Sequence, residues 1–153
     1  MPLLGREKVT HELKVGIKDR VNDNLKGVYL AGLQQIIQST PADKGRARNN
    51  WFLTVGSPSN KTTNSQSTNG ANSLNQLSKL PESVLGKKLY FTNNLSYIGV
   101  LEYGGFPSPV KKGSYIKKSK SYQILSAKGF SKQAPDGWVR KTLILMQNKI
   151  RSL

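Results

Sequence analysis

Apolar or small side chains return every three or four residues between His11 and about Gln38, at Leu13, Ile17, Val21, Leu25, Val28, Gly32/Leu33 and Ile36. This period predicts one helix of about 25 residues with a single apolar stripe. Lys14, Lys18, Asp19, Asp23 and Lys26 fall on the other side, and Thr10 stands where an N-cap is expected. Gly16, Gly27 and Gly32 each cost a helix interior roughly 0.5–1 kcal/mol against alanine, so this helix is expected to depend on tertiary or subunit packing. Ser39-Thr40-Pro41-Ala42-Asp43-Lys44-Gly45 ends it, because proline disfavours helical geometry at Thr40 and an Asp-x-Gly turn follows. In that turn Asp43 is expected to cap the next backbone amides and Gly45 to take a positive φ.

After the turn the pattern changes. Trp51-Phe52-Leu53-Thr54-Val55 is aromatic and β-branched and predicts a strand with Trp51 anchored in the core. Between Asn60 and Ser78, fifteen of nineteen residues are Asn, Ser, Thr, Gln or Gly, which predicts a long flexible loop. Lys88-Leu89-Tyr90-Phe91-Thr92 alternates and predicts a second strand. Periodicity fits Tyr97 to Gly105 to either a short helix or a strand; a helical turn or two, stopped by Gly104 and Gly105, is the expectation. In the excursion from 106 to 133, Tyr115-Ile116 and Tyr122-Gln123-Ile124-Leu125 are expected to form a small hairpin. A second amphipathic helix is expected from Trp138 to Ile150, with Val139, Leu143, Met146 and Ile150 on one face and Lys149 and Arg151 at its end. The fold class is therefore α+β: a long N-terminal and a C-terminal helix on a small, mainly antiparallel sheet, as one domain over 1–153 with loops at about 60–78 and 106–133.

Charge changes the picture next. The chain of 153 residues has 24 Lys plus Arg against 8 Asp plus Glu, a formal charge of +16. Residues 1–50 carry nine bases and five acids, 51–104 four and two, and 105–153 eleven and one, so +10 of the excess lies in the last third. Lys111, Lys112, Lys117, Lys118 and Lys120, interleaved with Tyr115 and Tyr122, suit either phosphate neutralisation or docking on an acidic protein. A solvated, solubilising loop is the plainer alternative. No apolar run reaches the ~20 residues of a membrane span, and the first residues do not continue into a signal peptide, so an intracellular chain without membrane contact is expected.

Catalytic chemistry finds little footing. The chain has no cysteine, and its one histidine, His11, does not assemble a metal cage. His11-Glu12 lacks a second histidine at position 15, and Gly86-Lys87-Lys88 lacks both the upstream glycine and the hydroxyl residue of a phosphate-binding loop. The eight carboxylates form no cluster along the sequence. No catalytic, metal or cofactor residues are expected. Glu102, inside an apolar and aromatic block, needs exposure at a helix end or a cationic partner, for which Arg46, Arg48 and Arg140 are the candidates.

Three blocks carry a resemblance. Ser39-Thr40-Pro41-Ala42-Asp43-Lys44-Gly45-Arg46-Ala47-Arg48-Asn49-Asn50-Trp51 resembles the S/T-P-x-D-T-G-x-[LA]-R-x-x-W signature of tail-component and neck proteins of long-tailed bacteriophages. Thr92 to Gly104, with Tyr97, Glu102 and Tyr103, is similar to that family's T-N-x-x-x-Y-x-x-x-[LV]-E-[YF]-G block. Gln133-Ala134-Pro135-Asp136-Gly137-Trp138-Val139-Arg140 is similar to its Q-A-P-x-G-[MW]-V-R block. The blocks stand in family order; Lys44 replaces the usual Thr, and the 107–132 excursion is longer and more basic than usual. The resemblance implies a virion structural protein of the head–tail junction, assembled in the host cytoplasm as a homo-oligomeric ring. A hexamer is expected, with twelvefold order as the alternative. Implied partners are other copies, head-completion or adaptor proteins, tail terminator or tube proteins, and DNA passing non-specifically through the lumen. Asp43, Gly45, Arg46, Arg48, Trp51, Tyr97, Glu102, Tyr103, Gly104, Pro135, Gly137 and Arg140 become structural or subunit-interface candidates, and the five lysines candidates for docking or DNA contact. The alternatives are a tail terminator subunit and a sequence-independent DNA-binding protein.

Overall fold

The computed structural model describes residues 3–105, 114–123, 128, 131 and 133–153. Helix α1 runs from Leu3 to Ser39, 37 residues, earlier than the apolar stripe predicts. Thr10 is therefore interior rather than a cap, and its hydroxyl donates one turn back to the Arg6 carbonyl at 2.7 Å. Only the C-terminal half of α1 is packed. Residues 6–21 are exposed throughout, with Leu13 and Ile17 each 61% exposed, whereas Leu33, Ile36 and Ile37 are buried. Asn22 marks the change: its amide donates to the Glu82 carbonyl at 2.7 Å and accepts the Val84 N–H at 2.8 Å.

Strand β1 (Phe52–Val55) pairs antiparallel with β2 (Leu89–Thr92), Phe52 opposite Thr92 and Val55 opposite Leu89. Two strands alone are marginal in water, so this pair depends on what it covers. Leu53 closes over Leu33, Leu80 and Val84, while Ile36, Ile37, Trp51, Ala134 and Trp138 form a second cluster.

The 60–78 segment differs from the expected loop. It contains helix α2 (Ala71–Gln76) and a 3-10 turn (Leu77–Lys79), with Leu74 and Leu77 packed against the core. A polar composition does not forbid order here, because the side-chain amides of neighbouring segments satisfy its backbone.

Helix α3 (Ile98–Tyr103) ends at Gly104, φ +73°, as the glycine pair predicts. Strands β3 (Ser114–Ile116) and β4 (Ser121–Gln123) form the expected antiparallel hairpin. Ile124 and Leu125, placed in that hairpin from sequence, lie outside the described residues, as do Lys111 and Lys112. Lys117, Lys118 and Lys120 are exposed at the hairpin turn.

Helix α4 (Val139–Arg151) packs along the C-terminal half of α1 rather than across the sheet. Its contact stripe also differs from the expected one: Thr142 and Met146 are buried, but Leu143 is 45% exposed. Gly32 explains the close approach, since a Cβ there would stand 2.1 Å from the Met146 sulfur. A glycine that weakens the isolated helix thus serves the helix pair.

Candidate functional site

Residues from each of the three sequence blocks meet at one junction, where the C-terminus of α1, the end of α3 and the N-terminus of α4 converge. At its centre is Glu102, 6% exposed. One carboxylate oxygen accepts the backbone N–H of Trp138 at 2.8 Å and of Val139 at 2.9 Å. The other accepts the Arg140 N–H at 3.1 Å and its Nε at 3.0 Å. Glu102 is thus the cap of α4, supplied from a distant segment, and it faces the positive end of the helix dipole. Trp138, the local N-cap residue, has no side chain able to do this.

Burial pushes the Glu102 carboxyl up, but the N–H groups of Trp138, Arg140 and Val139 and the Arg140 guanidinium together outweigh it, and the net pKa lies below the ordinary 4.5. Of the three arginines considered as partners, Arg140 is the one paired, within the same chain. Its guanidinium also lies 4.7 Å over the ring of Tyr103, which is otherwise exposed. Gly137, φ +77°, lets the chain pass this close: a Cβ would stand 2.4 Å from the Glu102 carbonyl oxygen. Pro135 precedes it on the surface.

Two tryptophans tie the junction to α1. Trp51 Nε1 donates to Thr40 Oγ1 at 2.9 Å, and Trp138 Nε1 donates to the Ile36 carbonyl at 3.0 Å. Gln133 clasps Ala42 through both backbone groups, each at 2.8 Å.

Arg48 serves the first block. Its Nε and Nη2 donate to the Thr40 carbonyl at 3.0 and 2.8 Å, covering the end of α1, and its Nη1 donates to the Thr68 carbonyl. Gly45 takes φ +84°, as expected, with a hypothetical Cβ only 2.1 Å from the Ser67 carbonyl oxygen. Asp43 does not make the expected cap; it is exposed and without a side-chain hydrogen bond among the described residues. Asn49 and Asn50 hold the turn from its carbonyl side instead, their amides donating to the carbonyls of Gly45 at 2.8 Å and Arg46 at 2.7 Å. Arg46 itself points to solvent, and Tyr97, 38% exposed, stands at the start of α3.

Sequence reasoning missed these asparagines. Asn49 also donates to the Ser67 carbonyl and accepts the Asn72 N–H at 3.0 Å, and Asn50 exchanges two bonds with Thr63. Asn93 reaches the Ala47 carbonyl at 2.9 Å, and Asn94 those of Ser59 and Lys61. The available signal was the pairing of Asn49-Asn50 with Asn93-Asn94, each flanking a strand that faces the polar segment. Asn49→Ala is expected to cost roughly 2 kcal/mol, because it orphans buried backbone groups on both sides. It should also increase proteolysis between Thr62 and Asn72; unchanged cleavage there would remove the pinning role.

Among the described residues, no three His, Cys, Asp or Glu side chains group to hold a metal, and no helix is long and apolar enough to cross a membrane. Both oxygens of Glu102 are already engaged, so its geometry suits holding a helix in place. Comparison with family models, curated proteins and solved structures finds no match.

Proposed function

We propose that this chain is a structural subunit of a bacteriophage head–tail junction, repeated in a ring through which DNA passes. The observation that carries this reading is the convergence of the three blocks. Segments far apart in sequence, and recognised by resemblance alone, supply the cap, the clasp and the tryptophan anchors of a single junction. Such a junction fixes the angle between the end of α1 and the start of α4, and a repeating subunit needs that angle to be the same in every copy. A subunit joining a head to a tail needs no reacting centre; it needs a rigid body with surfaces left for neighbours. The exposed half of α1 and the basic hairpin are such surfaces. A sixfold ring follows from the resemblance, and adaptor, terminator or tube proteins would flank it.

Removing the chain from the assembling virus is expected to leave filled heads and finished tails unjoined, and labelling it should place its density at the head vertex. Infectious particles formed normally without it would overturn the proposal.

The charge distribution favours one second reading, a sequence-independent DNA-binding protein. Lys117, Lys118 and Lys120 are exposed on the hairpin turn. Under that reading the purified chain would bind duplex DNA with a steep salt dependence, and neutralising the three lysines would reduce the slope by about 3. Under the ring reading the salt slope of weak DNA binding changes little and junction assembly is what responds.

A further inference from the structure

The free half of α1 presents a ridge. Val9, Leu13 and Ile17 share one face with Gly16, flanked by Glu12 and Arg20, and Val9 and Leu13 are 55% and 61% exposed. Further along the same helix, α1 and α4 enclose an open apolar groove of about 540 Å³. Gly27, Val28 and Ala31 form one wall, Leu145 and Met146 the other, and Asp23 and Lys149 stand at its margins. Leu145 is 66% exposed, and neither Gly27 nor Gly16 has an atom within 4 Å of a hypothetical Cβ.

The ridge cannot fill its own groove. Leu13 and Val28 sit on one continuous helix, roughly 22 Å apart at 1.5 Å per residue. A second copy can bring ridge and groove together.

Charge favours a second copy as well. A chain of +16 repels its own kind over most of its surface, but residues 6–24 hold five bases and four acids, half of all its carboxylates. A copy that presents this near-neutral segment to the groove of another meets the least repulsion its own helix can offer. Glu12 and Arg20 beside the ridge have opposite-charge counterparts in Lys149 and Asp23 beside the groove. Shape fits too: small residues along one wall admit a neighbouring helix, and the apolar ridge supplies side chains to bury.

We propose that the Val9–Leu13–Ile17 ridge of one copy seats in the α1–α4 groove of the next, head to tail. The two patches differ, so each copy offers one of each, and the contact propagates until it closes. The head-to-tail direction rests on the ring reading above; the pairing of ridge with groove rests on shape and charge.

The absence of cysteine from the chain makes the test direct. Leu13→Cys and Ala31→Cys lie at exposed positions, and a short bifunctional maleimide joins them only where ridge meets groove. Mixing the two single variants is expected to give a cross-linked dimer, and either alone none. The double variant is expected to give a ladder beyond the dimer. Ala31→Trp, which fills the groove from an exposed position, should weaken self-association at least tenfold with an unchanged circular dichroism spectrum.

A chain that stays monomeric, or that associates without the mixed cross-link, overturns the proposal. A double variant that stops at the dimer does so too, since that is the product of reciprocal pairing. A ring seen in particles without this cross-link would leave the ring reading standing and remove the interface. A cross-linked ladder from a chain that particles lack would do the reverse.

Discussion

Glu102→Ala is expected to destabilise the fold by about 3 kcal/mol, read as a fall in the urea midpoint with an unchanged slope. The magnitude comes from what the carboxylate leaves behind. Trp138, Val139 and Arg140 would lose the acceptor for their N–H groups at the start of α4, and the Trp138 N–H bond is buried. Losing an ordinary exposed cap costs roughly 1 kcal/mol, and several charge-assisted bonds in a buried setting raise that figure. Arg140→Ala is expected to cost less than about 1 kcal/mol, because its side chain is 53% exposed and water replaces the partner. If Arg140→Ala proved as costly as Glu102→Ala, the ion pair and not the helix cap would be the main contribution.

The same carboxylate predicts a direction with pH. Its pKa in the folded chain lies below the ordinary 4.5, so the folded state holds the ionised form more tightly than the unfolded state does. The stabilisation is complete above pH 4.5 and is lost as pH falls through the lower, folded value. Glu102→Gln has no such titration. The stability difference between the parent chain and this variant should therefore be constant near neutral pH and narrow in acid below pH 4.5. A difference that widens on acidification would mean the folded chain raises the pKa instead.

These expectations mark what was legible in the sequence. Periodicity located both long helices, and the aromatic and β-branched runs located β1 and β2, because those signals depend on neighbours along the chain. The sequence leaves Glu102 either exposed at a helix end or paired with one of three arginines, and the choice depends on how α3 meets α4, which no local pattern encodes. Composition predicts a loop for the polar segment because it reports only how little that segment can bury. Its order comes instead from side-chain amides outside it: Asn49 bonds the backbone of Ser67 and Asn72, Asn50 that of Thr63, and Asn94 the Lys61 carbonyl. The stripe of α1 was visible, yet its division into a packed half and a free half was not. Both halves carry the same pattern, and packing ends where the remaining chain runs out of surface to cover it.

Trp51→Ala is expected to cost roughly 3–5 kcal/mol, the range for removing a large aromatic from a core that cannot fully close over the space. Trp51 is 6% exposed and stacks on Phe91 of β2, with ring centroids 5.0 Å apart and planes within 11°. Its Nε1 donates to Thr40, the residue that ends α1. One side chain therefore joins the sheet to the helix, and neither the two-stranded pair nor the glycine-bearing helix is expected to be stable alone. Trp51→Phe keeps the stack but removes the indole donor and some volume, and about 1–2 kcal/mol is expected from it. Thr40 Oγ1 keeps its bond to the Ile36 carbonyl at 2.7 Å, so that variant leaves no buried hydroxyl without a partner. Chemical denaturation of both variants provides the check. A loss below about 1 kcal/mol for Trp51→Ala would show that the core tolerates the cavity, and the sheet and α1 would then have to be held together mainly by Leu33, Leu53, Leu80 and Val84.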